Sequence, residues 1–212
     1  PESYNIESRI ILNKDYIFRA GYKIKDFKIG NDIVTQIGPN MIGDITIDVI
    51  WEVITYSYII NDMNGALLYS GSYNINTNDI ILSEKVDIPD WPGYTIRGIY
   101  TSENPREITI IPKGSTGDID LVVFRDIIDY NITYFVNGGE GNHNNPVSYN
   151  IESDTIDILQ GNMTRTGYTF LGWFDNNDNQ VLYISKGSTG DISLQAKWQV
   201  INYTITLKDR LG

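Results

Sequence analysis

Seven letters, Lys113-Gly114-Ser115-Thr116-Gly117-Asp118-Ile119, return unchanged at 186–192. Gly-rich loops can present backbone N–H groups to phosphate, so this loop is a candidate anion cradle. It lacks the Gly-Lys-Ser/Thr ending of a phosphate loop, and a strand follows where a helix N-terminus is needed. The reading that fits is a turn, with unusual φ at Gly187 and Gly190 and Asp191 bonded to nearby backbone. Asp175-Asn176-Asn177-Asp178-Asn179 places oxygen ligands at alternate positions as a calcium loop begins. It has neither the glycine at the sixth position nor the closing bidentate Glu, so a solvated turn is expected and no metal is assigned. His143 is the only histidine, in a polar loop, with no Cys or second His to share a metal. A triad would need it beside a buried carboxylate and a nucleophile. Carboxylate pairs that could hydrolyse glycosides are scattered through turns and strand edges, and the small modules offer no obvious cleft. Three Asn-X-Thr sequons, at 131, 162 and 202, read as incidental in strand context.

Aromatic rings are the remaining chemistry. Tyr22, Tyr94, Tyr168, Trp51, Trp173 and Trp198 recur in register and could form a sugar-stacking platform. Rings at alternating strand positions are more often core, because small domains cannot spare such area. Trp91, beside Pro92, stands outside that register. Trp91 and Tyr100 are therefore the ligand-binding candidates.

Composition narrows the class. In 212 residues Ala appears only at 20, 66 and 196, while Ile and Tyr abound, which favours strand over helix. The net charge of −11 argues against nucleic acid, whose phosphates need Lys and Arg, and against docking on anionic lipid. Without cysteine there is no disulfide, zinc-thiolate site or Cys nucleophile. No apolar run approaches a membrane span and no signal peptide is visible. The chain opens inside a repeat, so secretion and anchoring signals are expected elsewhere in a longer protein.

The elements that position these residues are written in copies. Gly-Asp-Ile begins at 43, 117 and 190, a period of 73–74 residues. Ser-Tyr-Asn-Ile begins at 3, 72 and 148, and Gly-Tyr at 21, 93 and 167. An aromatic closes each copy at Trp51, Phe124 and Trp198. The expected units are 1–53 (lacking its first strand), 54–127, 128–200 and, at 201–212, the opening strand of a fourth. The recurring signature is Gly43, Asp44, Trp51, Gly93, Tyr94, Gly117, Asp118, Gly167, Tyr168, Trp173, Gly190, Asp191 and Trp198. Residues 132–136 and 192–198 alternate as strands, Gly172 marks a bulge or close packing, and 156–159 is a strand or one helical turn. The helix candidate 83–87 is followed at once by Pro89 and Pro92. Strand runs into strand between copies, so neighbouring modules should be stiffly joined.

In the third copy Ile132-Thr133-Tyr134, Asn137-Gly138-Gly139, Arg165-Thr166-Gly167-Tyr168-Thr169-Phe170, Gly172-Trp173-Phe174, the 186–192 loop and Ala196-Lys197-Trp198 stand in one order. This resembles the Listeria–Bacteroides repeat, also called the internalin B-repeat. The second copy matches in part, with Ile99 where the third has Trp173, and the first matches weakly. The resemblance implies mainly β (α+β) architecture: tandem small β-grasp-like modules, each a sheet over a short helix or irregular crossover. It further implies an extracellular bacterial surface or secreted protein, no catalysis and no cofactor, with the modules acting as a spacer or weak adhesive array. Tyr58–Leu68 followed by Pro92-Gly93-Tyr94 also looks like a mucin-binding repeat. The expected partners are neighbouring repeats and a host or surface glycan or protein, without nucleic acid or membrane insertion.

Overall fold

The computed structural model describes residues 3–210. In the first copy β1 (Ile10–Ile11), β2 (Tyr22–Ile29), β3 (Asp32–Val34), β4 (Gln36–Ile37) and β5 (Asp48–Val53) make two small sheets, β1-β4 and β3-β2-β5. In the second, β6 (Tyr56–Asp62), β7 (Leu67–Tyr73), β8 (Ile80–Ile81), β9 (Tyr94–Thr101), β10 (Ile110–Ile111) and β11 (Ile119–Ile127) form the sheet β7-β6-β11-β9 and the ribbon β8-β10. In the third, β12 (Tyr130–Phe135), β13 (Ser148–Tyr149), β14 (Ile156–Asp157), β15 (Tyr168–Phe174), β16 (Tyr183–Ile184) and β17 (Ile192–Val200) repeat that plan as β13-β12-β17-β15 and β14-β16.

The architecture is mainly β, as composition required. Among the described residues the one helical element is a 3-10 turn at Leu82–Glu84. The helical candidate at 83–87 goes no further because Pro89 removes a backbone donor and restricts its neighbour. In both complete copies the segment between the edge strands, where the resemblance implied a short helix or irregular crossover, carries one short strand (β8 or β14), which pairs with a second (β10 or β16) that follows the later edge strand. Residues 156–159, left open between strand and helical turn, supply β14.

The opening and closing strands of each complete copy are central and parallel. Ile119 stands opposite Tyr58 and Leu121 opposite Ile60. In the third copy Ile192 stands opposite Ile132 and Leu194 opposite Tyr134. Parallel pairs are generally buried, and alternation puts Leu121, Val123, Leu194 and Ala196 in cores. The flanking strand is antiparallel and bulged between Phe170 and Gly172, the glycine taking φ 124°. A similar register shift falls between Ile24 and Asp26 in the first copy.

Two compact units divide the chain. One takes residues up to Pro89 together with Arg97–Phe124; the other takes Asp90–Ile96 and everything from Arg125 onward. The second copy therefore contributes to both. In the second unit the core holds Ile132, Tyr149, Ile158, Met163, Trp173, Ile184, Leu194 and Ala196. Trp173, 1% exposed, stands opposite the small Ala196. At the corresponding pair of the first copy Phe27 stands opposite Val49, a smaller ring against a larger partner. Trading volume across a strand pair conserves packing, which cores tolerate best. Among the described residues no helix is long and apolar enough to cross a membrane. Of residues 201–212, expected to open a fourth copy, 201–210 carry no secondary structure and are exposed, and 211–212 lie outside the described residues.

Candidate functional site

The three copies expose one recurring piece of geometry, the turn ending in Gly-Tyr. Tyr22, Tyr94 and Tyr168 each donate a backbone N–H to the residue three positions earlier, Arg19, Trp91 and Arg165 respectively. The glycine carbonyls of Gly21, Gly93 and Gly167 then accept the N–H of Ile54, Ile128 and Ile201 at 2.8–2.9 Å. These are the residues where one copy ends and the next begins, so each closing strand is pinned to its own turn as it leaves. Gly93 has φ 80°, a left-handed conformation that favours glycine.

The next copy contributes Ser-Tyr-Asn-Ile. Asn5, Asn74 and Asn150 each accept an amide two residues on, at Glu7, Asn76 and Glu152, through their side-chain oxygens. Their own amides donate to Ser8, Thr77 and Ser153 hydroxyls. This closed turn thrusts out the isoleucine after Asn. A Cβ built on Gly21 would lie 2.8 Å from Ile75 Cβ, and one on Gly93 would lie 2.6 Å from Ile151 Cβ. Nothing larger than glycine leaves room for these isoleucines. At the second of these sites Tyr94 Oη also donates to Glu152 Oε1 at 2.7 Å. That bond to the carboxylate raises the phenol's pKa. Gly167 has no such occupant: among the described residues, nothing lies within 4 Å of its Cβ direction.

Arginine and rings decorate the same turn. Arg19 stacks over Tyr22 at 4.3 Å and reaches Trp51 at 5.9 Å. Arg165 stacks over Tyr168 at 3.9 Å. In the second copy the types are exchanged. Trp91 takes the turn position of Arg19 and Arg165, while Arg125, three residues before the pinned Ile128, takes the strand position of Trp51 and Trp198. The contact survives the exchange, with Arg125 at 4.6 Å from the Trp91 ring and 4.5 Å from Tyr94. The structural counterpart of Trp51 and Trp198 is thus Arg125, and Phe124 is its neighbour, which corrects the alignment of closing aromatics. Trp91 is half-buried with its ring partnered by Arg125. Tyr100, also half-buried, packs edge-on against Phe124 at 5.1 Å. Of the six recurring rings expected in cores, only Trp173 is fully inside; Tyr22, Tyr94, Tyr168, Trp51 and Trp198 are intermediate. The sequence missed this because a ring at a turn and a ring on a strand recur with the same period.

The Lys-Gly-Ser-Thr-Gly-Asp loop is a turn, as expected, with Gly114, Gly117, Gly187 and Gly190 all at positive φ. Its Ser115 and Ser188 amides are spent internally, on Pro112 and Ser185. The carboxylate reaches further than expected. Asp118 accepts from the Ser57 amide at 2.7 Å and Asp191 from the Asn131 amide at 2.8 Å, each on the opening strand. The Ser57 backbone bond, helped by the Ser57 hydroxyl, holds Asp118 below the ordinary carboxylate range. Gly117 and Gly190 carbonyls receive the Tyr73 and Tyr149 hydroxyls, and Gly43 that of Tyr4. The loop thus sets the register of the central strands.

At 175–179 the oxygens face inward. Asp175 Oδ1 accepts the Asn177 and Asn179 amides at 2.9 and 2.8 Å. The Asn179 backbone bond heads the causes that lower its pKa. Among the described residues no group of three His, Asp or Glu side chains could hold a metal. His143 is no free loop residue. Its Nδ1 accepts the Asn145 amide at 3.1 Å, and its ring lies 4.0 Å from Tyr134 and 5.2 Å from Trp173. Two open depressions deserve naming. One of about 520 Å³ is lined by Ser3–Ile6 and Met41–Ile45. Another of about 510 Å³ lies among Glu140, Arg165, Tyr168, Phe170 and Trp198.

Comparison with known families agrees with the third copy. Residues 130–197 match the family described as Listeria-Bacteroides repeat domain, a repeat typical of bacterial surface proteins. No curated protein matches the chain.

Proposed function

We propose that this chain is a non-enzymatic tandem array from a bacterial cell-surface or secreted protein, working as a stiff spacer. Its modules are β-grasp-like, with boundaries at 54–127 and 128–200; the mixed sheet with a central parallel pair supports that assignment. The observation carrying the reading is the junction itself. A glycine carbonyl pins the departing strand, and the next copy's isoleucine fills the space a side chain on that glycine would need. Arrays whose copies touch only their neighbours gain stability from such nearest-neighbour contacts. The test is ¹⁵N relaxation of the whole chain beside Ile151→Asp. Amides of 91–96 and 130–200 are expected to share one tumbling time in the parent and to separate in the variant. Independent tumbling in the parent would sink the spacer reading. The second reading, a glycan- or mucin-binding module, draws on the mixed polar and aromatic depression around Arg165, Tyr168 and Trp198. Saturable binding in a glycan screen, retained or lost in Trp91→Ala and Tyr100→Ala, would favour it and locate it.

A further inference from the structure

The second copy leaves a long sheet edge bare. β9 and β15 are met by the chain returning past them: the Ile108 amide donates to the Ile99 carbonyl at 2.8 Å, and the Val181 amide to the Trp173 carbonyl at 2.9 Å. β13 is held to two residues by the loop that precedes it, whose Val147 carbonyl takes the Ile132 amide. Short or covered edges protect sheets from pairing between molecules, as do charges and proline. β7 has none of these. It runs seven residues at the margin of β7-β6-β11-β9, and among the described residues no backbone pairs with its outer side. It lies within 63–78, sixteen consecutive residues without a charged side chain and the longest such run in the chain. At a net charge of −11, this is where a second acidic molecule meets least repulsion.

The strand is also its own complement. Tyr69-Ser70-Gly71-Ser72-Tyr73 has the same order in both directions. The hydrogen-bond phase fits that centre. The Ser57 amide turns to Asp118, on the β11 side of β6, and the Asp62 amide to Ala66, on the β7 side. Backbone groups alternate sides along a strand, so Tyr56, Tyr58 and Ile60 bond to Tyr73, Gly71 and Tyr69 opposite them. The N–H and C=O groups of Ser70 and Ser72 therefore point away from the sheet. We propose that β7 of one copy of this chain pairs antiparallel with β7 of a second copy, about a two-fold axis at Gly71. Ser70 then exchanges both backbone bonds with the partner's Ser72, and symmetry repeats the exchange on the other side of the axis. Two four-stranded sheets become one of eight strands. Gly71 faces the partner's Gly71 in the non-hydrogen-bonded site, where paired strands approach closest. The Tyr58 ring fills the space over Gly71, 2.5 Å from where a Cβ would lie, with Tyr69 at 5.7 Å and Tyr73 at 6.3 Å between ring centres. Pairing sets Tyr69 opposite the partner's Tyr73, which continues this row of rings across the axis. Main-chain hydrogen bonds are the ordinary terms of strand addition to an exposed edge. Such a contact is isologous and closes at the dimer.

The inference goes beyond the spacer reading and stands or falls without it, because the experiment reports contact between chains and not stiffness within one. Sedimentation of the full chain over a wide concentration range is expected to show monomers giving way to dimers and to nothing larger. Ser72→Pro removes an outward N–H that no strand of its own chain uses, at the kind of edge position where proline is tolerated. It is expected to abolish the dimer while leaving the circular dichroism unchanged. A parent chain that stays monomeric, one that grows past the dimer, or a folded variant that dimerises equally overturns the proposal. Because the chain has no cysteine and both serines are exposed, Ser70→Cys mixed with Ser72→Cys supplies the register without the proline variant. Mixed disulfides in excess of either like pair support the axis at Gly71; like pairs in equal or greater yield refute it.

Discussion

Trp91 and Arg125 carry the clearest message at the scale of single residues. A sequence scan sees a lone tryptophan outside the repeating register and reads an exposed ring for sugar. The turn geometry instead pairs it with an arginine that has taken a tryptophan's place. Arginine over an aromatic face is worth ~0.5–2 kcal/mol depending on desolvation. Trp91→Arg alone crowds two guanidinium groups, and Arg125→Trp alone leaves none. Each is expected to lower unfolding free energy by ~1 kcal/mol in denaturant titration. The double exchange restores the order found in the first and third copies and should recover most of the loss, a coupling that a double-mutant cycle isolates. A double variant no better than the sum of the singles would remove the pair from the account. Neither letter of the swap matches its counterparts, which drew the reading to Phe124, although counting seven residues from Asp44, Asp118 and Asp191 reaches Trp51, Arg125 and Trp198, as the pinned isoleucines also do.

At the scale of elements, loops do more than connect. The 186–192 loop was legible as a turn from its glycines, yet its aspartate's partner 60 residues away was not, since side-chain hydrogen bonds across strands leave no periodic trace. The 141–145 segment likewise read as a polar loop, whereas His143 closes over Tyr134 and Trp173. Burial holds its imidazole below the ordinary value of 6.5. The sign follows from linkage: the unfolded chain takes the proton first, so the contribution is whole above the unfolded pKa and is lost as pH falls through the folded one. Thermal melts followed by tryptophan fluorescence are expected to drop between about pH 7 and pH 5, the range in which histidine titrates. His143→Gln should flatten that interval. Asp118 and Asp175, both lowered from 3.8, lose their contribution only at more acid pH, so a drop surviving in the variant would point away from His143.

For the whole molecule, the period of Gly-Asp-Ile, scarce alanine and alternating isoleucines were enough to read a mainly β chain written in copies. Which strands lie side by side was not readable, because a central parallel pair joins residues some sixty positions apart and neither partner announces the other. The parallel pair has a mechanical consequence. In the third copy the chain enters at Tyr130 and leaves at Val200, at opposite ends of two strands lying side by side. A pull along the chain therefore drags β12 and β17 past each other lengthwise. Their ladder bonds, with the Asp191 clasp, share the load together and do not peel open singly. Resistance to tension is governed by an unfolding rate, so this shear geometry is expected to slow the unfolding of the third copy under force.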